Sequence, residues 1–81
     1  MISKVTRSPQ FIKQTKRLDS ELLKKLKKQI IKIMENPSIG KPLSYTRGER
    51  TLYIKPFRLV YSVKGDELTL LKFDHRKRVY K

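Results

Sequence analysis

The sequence predicts an α+β fold: a short N-terminal strand, a two-helix hairpin, then a three-stranded antiparallel sheet meander. Three observations predict it. Leu22, Leu23, Leu26, Ile30, Ile33 and Met34 recur at helical spacing and form one apolar stripe. Pro37, Gly40, Pro42 and Gly48 then punctuate a loop. After that loop the period of apolar residues changes from helical to alternating. Helices followed by strands, rather than interleaved with them, pack on one face of the sheet. The 81 residues make a single domain, 1–81. A chain of this size buries only roughly 60–65% of its unfolded surface, so its stability margin is thin.

Each element has a local reason. Residues 2–7 read as the first strand. Ser8 is an N-cap and Pro9 suits the first helical position, opening a short helix to about Arg17. Asp19 caps the second helix, and Glu21 suits the positive end of its dipole. Leu18 and Leu23 flank that cap at the spacing of a hydrophobic staple. Asn36-Pro37 stops the helix. Lys24, Lys25, Lys27, Lys28 and Lys32 fall mostly away from the apolar stripe and read as a solvated face. Residues 37–49 read as loop, and strands follow at about 50–55, 57–63 and 67–74.

The charge narrows the function classes. Lys and Arg total 21 against 7 Asp and Glu, a formal net charge of +14. Such an excess on a small body spreads a positive potential over much of its surface and points to a polyanion or an acidic protein as partner. With no cysteine, disulfides, thiolate zinc sites and cysteine nucleophiles are excluded. With one histidine and scattered acids, no metal site and no cofactor is expected. The three glycines are too far apart to cradle a phosphate, and neither Ser44 nor Ser62 sits in a nucleophile elbow. No apolar run approaches the ~18 residues of a membrane span, and the N-terminus lacks a signal-peptide core, so no membrane role and a cytoplasmic location are expected.

Strand parity places the unusual arginine of the segment "KPFRLVYSV". With Lys55-Pro56 as a two-residue connection, Ile54 faces Phe57, Tyr53 faces Arg58 and Leu52 faces Leu59. Leu52, Ile54, Phe57, Leu59 and Tyr61 then share the helix-covered side, with Tyr53 and Arg58 on the other. With Gly65-Asp66 as the next turn, Val63 faces Leu68 and Tyr61 faces Leu70. Unbroken register sets Arg58 opposite Phe73 and puts His75 on the same face, beside the basic tail Arg76-Lys77-Arg78-Val79-Tyr80. It also leaves Lys72 on the core side. Arginine beside aromatic rings on an open sheet face holds phosphates and stacks bases; the plainer alternative is a cation–π contact with Tyr53 and no ligand. RNA carries its own nucleophile in the 2′-hydroxyl, so such a site needs only alignment, proton transfer and charge neutralisation. Candidates for proton transfer are His75, Lys55, Tyr80, Asp74 or a group of the substrate itself, histidine being the side-chain type that titrates nearest neutral pH.

The segment "GERTLYIKPFRLVYSV", followed by "LTLLKFDHRKRVYK", resembles the second half of the RelE/ParE toxin superfamily. The whole chain follows the same order: short strand, helical hairpin, "NPSIGKPLS" before the sheet, an Arg-Leu-Val-Tyr strand and a closing His-Arg-x-x-Val-Tyr. Resemblance to RelE-like members implies a ribosome-dependent mRNA endonuclease that cleaves in the A site by 2′-hydroxyl attack and is neutralised by an acidic antitoxin. It implies that Arg58 stabilises the phosphate in the transition state, Lys55 assists proton transfer, Arg76 offsets charge, and Tyr80 stacks on or orients a base. His75 falls where some members place a catalytic histidine. Tyr53, with Arg47, Arg50 and Arg78, is assigned to RNA contact. Two departures stand out: the first hairpin is about two residues shorter than usual, and Tyr53 stands where some members carry lysine. Two other functions remain open, a ParE-like inhibitor of DNA gyrase and a catalytically inactive RNA- or ribosome-binding homologue.

Overall fold

Ser8 closes the first helix as expected: its hydroxyl accepts from the Phe11 amide at 3.0 Å, and Pro9 occupies the first turn. The structure, a computed structural model, describes residues 2–44 and 48–78. Strand β1 (Lys4–Arg7) leads into α1 (Pro9–Thr15) and α2 (Ser20–Glu35); β2 (Lys41–Pro42), β3 (Glu49–Ile54), β4 (Phe57–Lys64) and β5 (Glu67–His75) follow. Helix α1 stops two residues before the expected Arg17. Its Thr15 hydroxyl donates to the Phe11 carbonyl at 2.8 Å, and Asp19 already caps α2 by accepting from the Leu22 amide at 2.8 Å. No helix among the described residues is long and apolar enough to cross a membrane.

The five strands form one mixed sheet in the order β1-β5-β4-β3-β2, with β1 parallel to β5 and the other pairs antiparallel. The N-terminus is tied to the β4–β5 turn, where the Ser3 amide donates to the Asp66 carbonyl at 2.9 Å and its hydroxyl donates to the Asp66 carboxylate. That second bond draws the Asp66 carboxyl below its ordinary value. The α2 stripe lands as expected except for Leu23, which lines a groove beside α1 instead: Leu26 and Ile33 are buried against Leu59, Tyr61, Leu68, Leu70 and Phe73, with Leu22, Ile30 and Met34 packed beside them.

Two expectations are corrected. Lys41-Pro42, read as loop, is a fifth strand: Lys41 pairs with Thr51 and Pro42 with Arg50. The segment leading into it is clamped. Tyr61, fully buried, accepts from the Gly40 amide at 2.9 Å and donates to the Pro37 carbonyl at 2.8 Å. A Cβ at Gly40 would stand 2.7 Å from the Tyr61 hydroxyl and 2.9 Å from the Thr51 carbonyl, so only glycine lets the backbones approach.

The second correction concerns register. Tyr61 pairs with Leu70 and Val60 with Lys72, leaving Leu71 as the extra residue of a bulge. Helix α1 and its cap supply the reason. Ser8 donates to the carbonyls of Leu70 and Leu71 at 2.9 and 2.7 Å, and the Gln14 side chain accepts from the Phe73 amide at 2.8 Å. The edge of β5 beyond Leu70 is therefore satisfied by a helix rather than by a strand. The bulge moves Lys72 off the core side and carries Phe73 into it, where Phe73 pairs with Leu59 and stacks on Phe57 at 5.1 Å.

Candidate functional site

The β3–β4 hairpin aligns as the sequence predicts, with Tyr53 opposite Arg58 and the turn at Lys55-Pro56. Both project from the face that the helices leave uncovered. The Arg58 guanidinium lies 4.5 Å from the centroid of the Tyr53 ring, itself 42% exposed. This face has a buried floor of its own, Val60 at 1% and Thr51 at 6% exposure. Arg58 is therefore backed by packed structure and fronted by solvent.

The bulge changes what stands across from Arg58. Its partner on β5 is Asp74, not Phe73, and His75 pairs with Phe57 on the helix-covered side. His75 meets Phe57 edge-on with ring centres 6.1 Å apart. The expected gathering of Phe73 and His75 around Arg58 does not occur, because one extra residue inverts every later side chain. The His75 Nδ1 accepts from the Lys77 amide at 3.2 Å, which leaves Nε2 as the nitrogen free for other work.

Asp74 is not paired with Arg58. Its Oδ1 accepts from the His75 amide at 2.7 Å and from Arg78 Nε and Nη2 at 3.3 and 3.2 Å. Among the described residues the only ion pair is this one, Arg78 with Asp74. Arg58 thus keeps its donors clear of a carboxylate. The same network folds the chain back after β5. The Arg76 amide donates to the Pro56 carbonyl at 3.1 Å, and the Arg78 amide to the His75 carbonyl at 2.8 Å. Arg76 is exposed and its backbone is held against the hairpin turn that carries Lys55.

Arg50 has other work. It pairs with Tyr61 on the helix side of the sheet, and its Nη1 donates to the carbonyls of Gly40 and Ser38 at 2.7 and 3.3 Å. Burial pushes the Tyr61 hydroxyl above the ordinary tyrosine value, only partly offset by the Gly40 bond and the Arg50 charge. Arg47 and Tyr80 lie outside the described residues. Two cations that sequence reasoning missed share the Arg58 face: Lys72, opposite Val60, and Lys41, opposite Thr51. Lys72 had a signal, its awkward place on the core side of an unbroken register; Lys41 had none, being read as loop. A groove of about 350 Å³ runs between Lys41 and Arg58, with Ile39, Thr51 and Tyr53 in its lining.

The arrangement is a free guanidinium on an aromatic ring, more cations on the same face, and a second arginine on a turn hydrogen-bonded to the first hairpin. It can hold a phosphate and support an unstacked base. The family model for the ParE toxin of the type II toxin–antitoxin system parDE matches residues 5–80. The chain belongs to the RelE/ParE superfamily of type II toxins. Its fold agrees with solved members. The toxin of the intact Escherichia coli RelBE toxin–antitoxin complex superposes with a TM-score of 0.82 at 21% identity, over 93% of this chain and 98% of that one. A YoeB/ParE toxin from Agrobacterium tumefaciens gives 0.80 at 20% identity, over 91% and 99%. The YoeB dimer from Staphylococcus aureus gives 0.74 at 25% identity, over 90% and 95%. No curated protein matches the chain at a significant level.

Proposed function

We propose that this RelE/ParE-superfamily toxin is a ribosome-dependent mRNA endonuclease that cleaves in the A site. The observation that carries the reading is Arg58: an arginine on the uncovered sheet face, resting on Tyr53, with the nearest opposed carboxylate engaged by Arg78. In the reaction the 2′-oxygen of the substrate bonds to the adjacent phosphorus and the P–O5′ bond breaks. The products are a 2′,3′-cyclic phosphate and a 5′-hydroxyl end, and no water is consumed. Arg58 neutralises the charge that builds on the non-bridging oxygens, with Arg76 adding to the positive field from the turn after β5. Tyr80 stacks on a base. Lys55, at the hairpin turn, serves the proton transfers, and His75 contributes only from the far side of the sheet end.

An acidic antitoxin is the partner that restrains it. Support comes from the net charge of +14 and from a groove between α1 and α2, where Arg7, Lys13, Lys16 and Lys27 rim an apolar strip of Ile12 and Leu23. Charge of this kind speeds association with an acidic segment. Solved relatives are seen with antitoxins, RelB for the E. coli toxin and DinJ for YafQ.

A second reading, inhibition of DNA gyrase, is favoured by the ParE description of the matching family model. Two assays separate them. The endonuclease reading expects Arg58→Ala and Arg76→Ala each to abolish growth arrest and mRNA cleavage, with no effect of the wild type on gyrase supercoiling. Unchanged toxicity in both variants sinks it, and blocked supercoiling by the wild type selects the gyrase reading.

A further inference from the structure

A two-residue strand is held in place by an unusual amount of structure. The segment 37–43 receives both bonds of a buried tyrosine hydroxyl, two bonds from the Arg50 guanidinium and a backbone bond from the Leu43 amide to the Glu49 carbonyl at 2.9 Å. Gly40 lets it lie against the Thr51 backbone. Every one of these contacts lies on the helix side of the sheet or in its plane. What they present on the open side is Lys41, exposed, in register with the buried Thr51. Lys41 and Arg58 stand on β2 and β4, separated by β3 and offset by two residues along the strands, so their backbones are about 12 Å apart. Both residues line the same groove, with Thr51 and Tyr53 between them on the same face.

That combination is the complement of one nucleotide: cations on two rims for the backbone, and the exposed Tyr53 ring for a base. We propose that Lys41 is an RNA-binding residue, and that the groove between it and Arg58 holds the nucleotide adjoining the scissile phosphate, with Lys41 on the neighbouring phosphate. The inference rests on the reading that Arg58 meets the scissile phosphate. Lys41 acts in binding, not in the bond-breaking step. Its removal therefore raises KM and leaves kcat in place, whereas Arg58→Ala lowers kcat.

The test is binding of a short single-stranded oligoribonucleotide, made uncleavable by 2′-O-methylation, followed by fluorescence anisotropy across a sodium chloride series. The proteins are the wild type, Lys41→Ala, Lys41→Arg and Lys28→Ala, the last removing the same charge from the exposed side of α2. Lys41→Ala is expected to weaken binding about fivefold to tenfold and to reduce the salt slope by about 0.7, the share of one single-strand phosphate contact. Lys41→Arg is expected to keep both, and Lys28→Ala to change affinity less than about twofold. If Lys41→Ala and Lys28→Ala behave alike, Lys41 supplies only net charge and the inference is overturned, while wild-type cleavage of mRNA would still uphold the endonuclease reading. Lys41-dependent binding by a protein that cuts no mRNA upholds the groove and sinks the endonuclease instead. A wild type that fails to bind the oligonucleotide overturns the groove assignment alone, because the endonuclease reading is ribosome-dependent and stands or falls on cleavage of mRNA in a translating extract.

Discussion

Arg58 gains its role from what does not bind it. An arginine directly across from an aspartate on neighbouring strands ordinarily pairs with it, yet here Arg78 and the His75 amide occupy Asp74, and Arg58 turns to Tyr53. Arg58→Ala should cost the fold only the cation–π contact, about 0.5–1 kcal/mol, while cleavage falls by about 10²–10³. Thermal melts and single-turnover cleavage measured on the same sample check the two halves. Arg58→Lys should rescue little, because a point charge cannot reproduce the planar fork of donors. Tyr61 is the opposite case, a residue whose polar atom serves stability. Tyr61→Phe strands the Gly40 amide and the Pro37 carbonyl and should cost about 1–3 kcal/mol in urea melts. Its pH dependence has a definite sign. The folded state holds the Tyr61 proton above the ordinary value of 10.0. The stability from that group is whole below pH 10 and is lost as pH rises through the folded-state value. The advantage of wild type over Tyr61→Phe should therefore be constant from about pH 7 to pH 9 and shrink by about pH 11. The pairing of Tyr53 with Arg58 was legible in the sequence because hairpin register follows from a two-residue connection. The task of Arg50 was not, since a long basic side chain on a strand reads as surface until the loop it holds is seen.

The elements show where periodicity stops being informative. Both helices and the three long strands were legible from caps, an apolar stripe and alternation, each signal repeating over several residues. A strand of two residues, Lys41-Pro42, has no period to read, and it exists because Tyr61 and Arg50, distant in sequence, bring it to β3. The bulge at Leu71 was likewise invisible as a local pattern. It is set by α1 taking over the β5 edge, and its trace in the sequence was the misfit of Lys72. Gln14 is the joint between those two elements. Gln14→Ala should leave the Phe73 amide without its acceptor, lower stability by about 1–3 kcal/mol, and speed hydrogen exchange at Phe73 above that of Leu59. Equal protection at both positions in the variant would mean that the helix does not hold this edge.

For the molecule as a whole, charge is the dominant fact, and it was legible at once. A net +14 on 81 residues spreads a positive potential over the surface and favours a polyanion or an acidic protein as partner. RNA affinity should fall as a straight line in log–log plots against salt, with a slope near −0.7 for each single-strand phosphate engaged. A flat plot would mean that the charge serves some other purpose. Membership of the toxin superfamily follows from the match over residues 5–80 and from the shared fold; an assay of activity separates RNA cleavage from gyrase inhibition. The most direct measurement is primer extension on an mRNA in a translating extract with the purified protein added, run beside ribosome-free RNA and the Arg58→Ala variant. New 5′ ends inside A-site codons, present only with ribosomes and absent with Arg58→Ala, are the expected result. Translation that proceeds unaffected, with no new ends from the wild type, would contradict it.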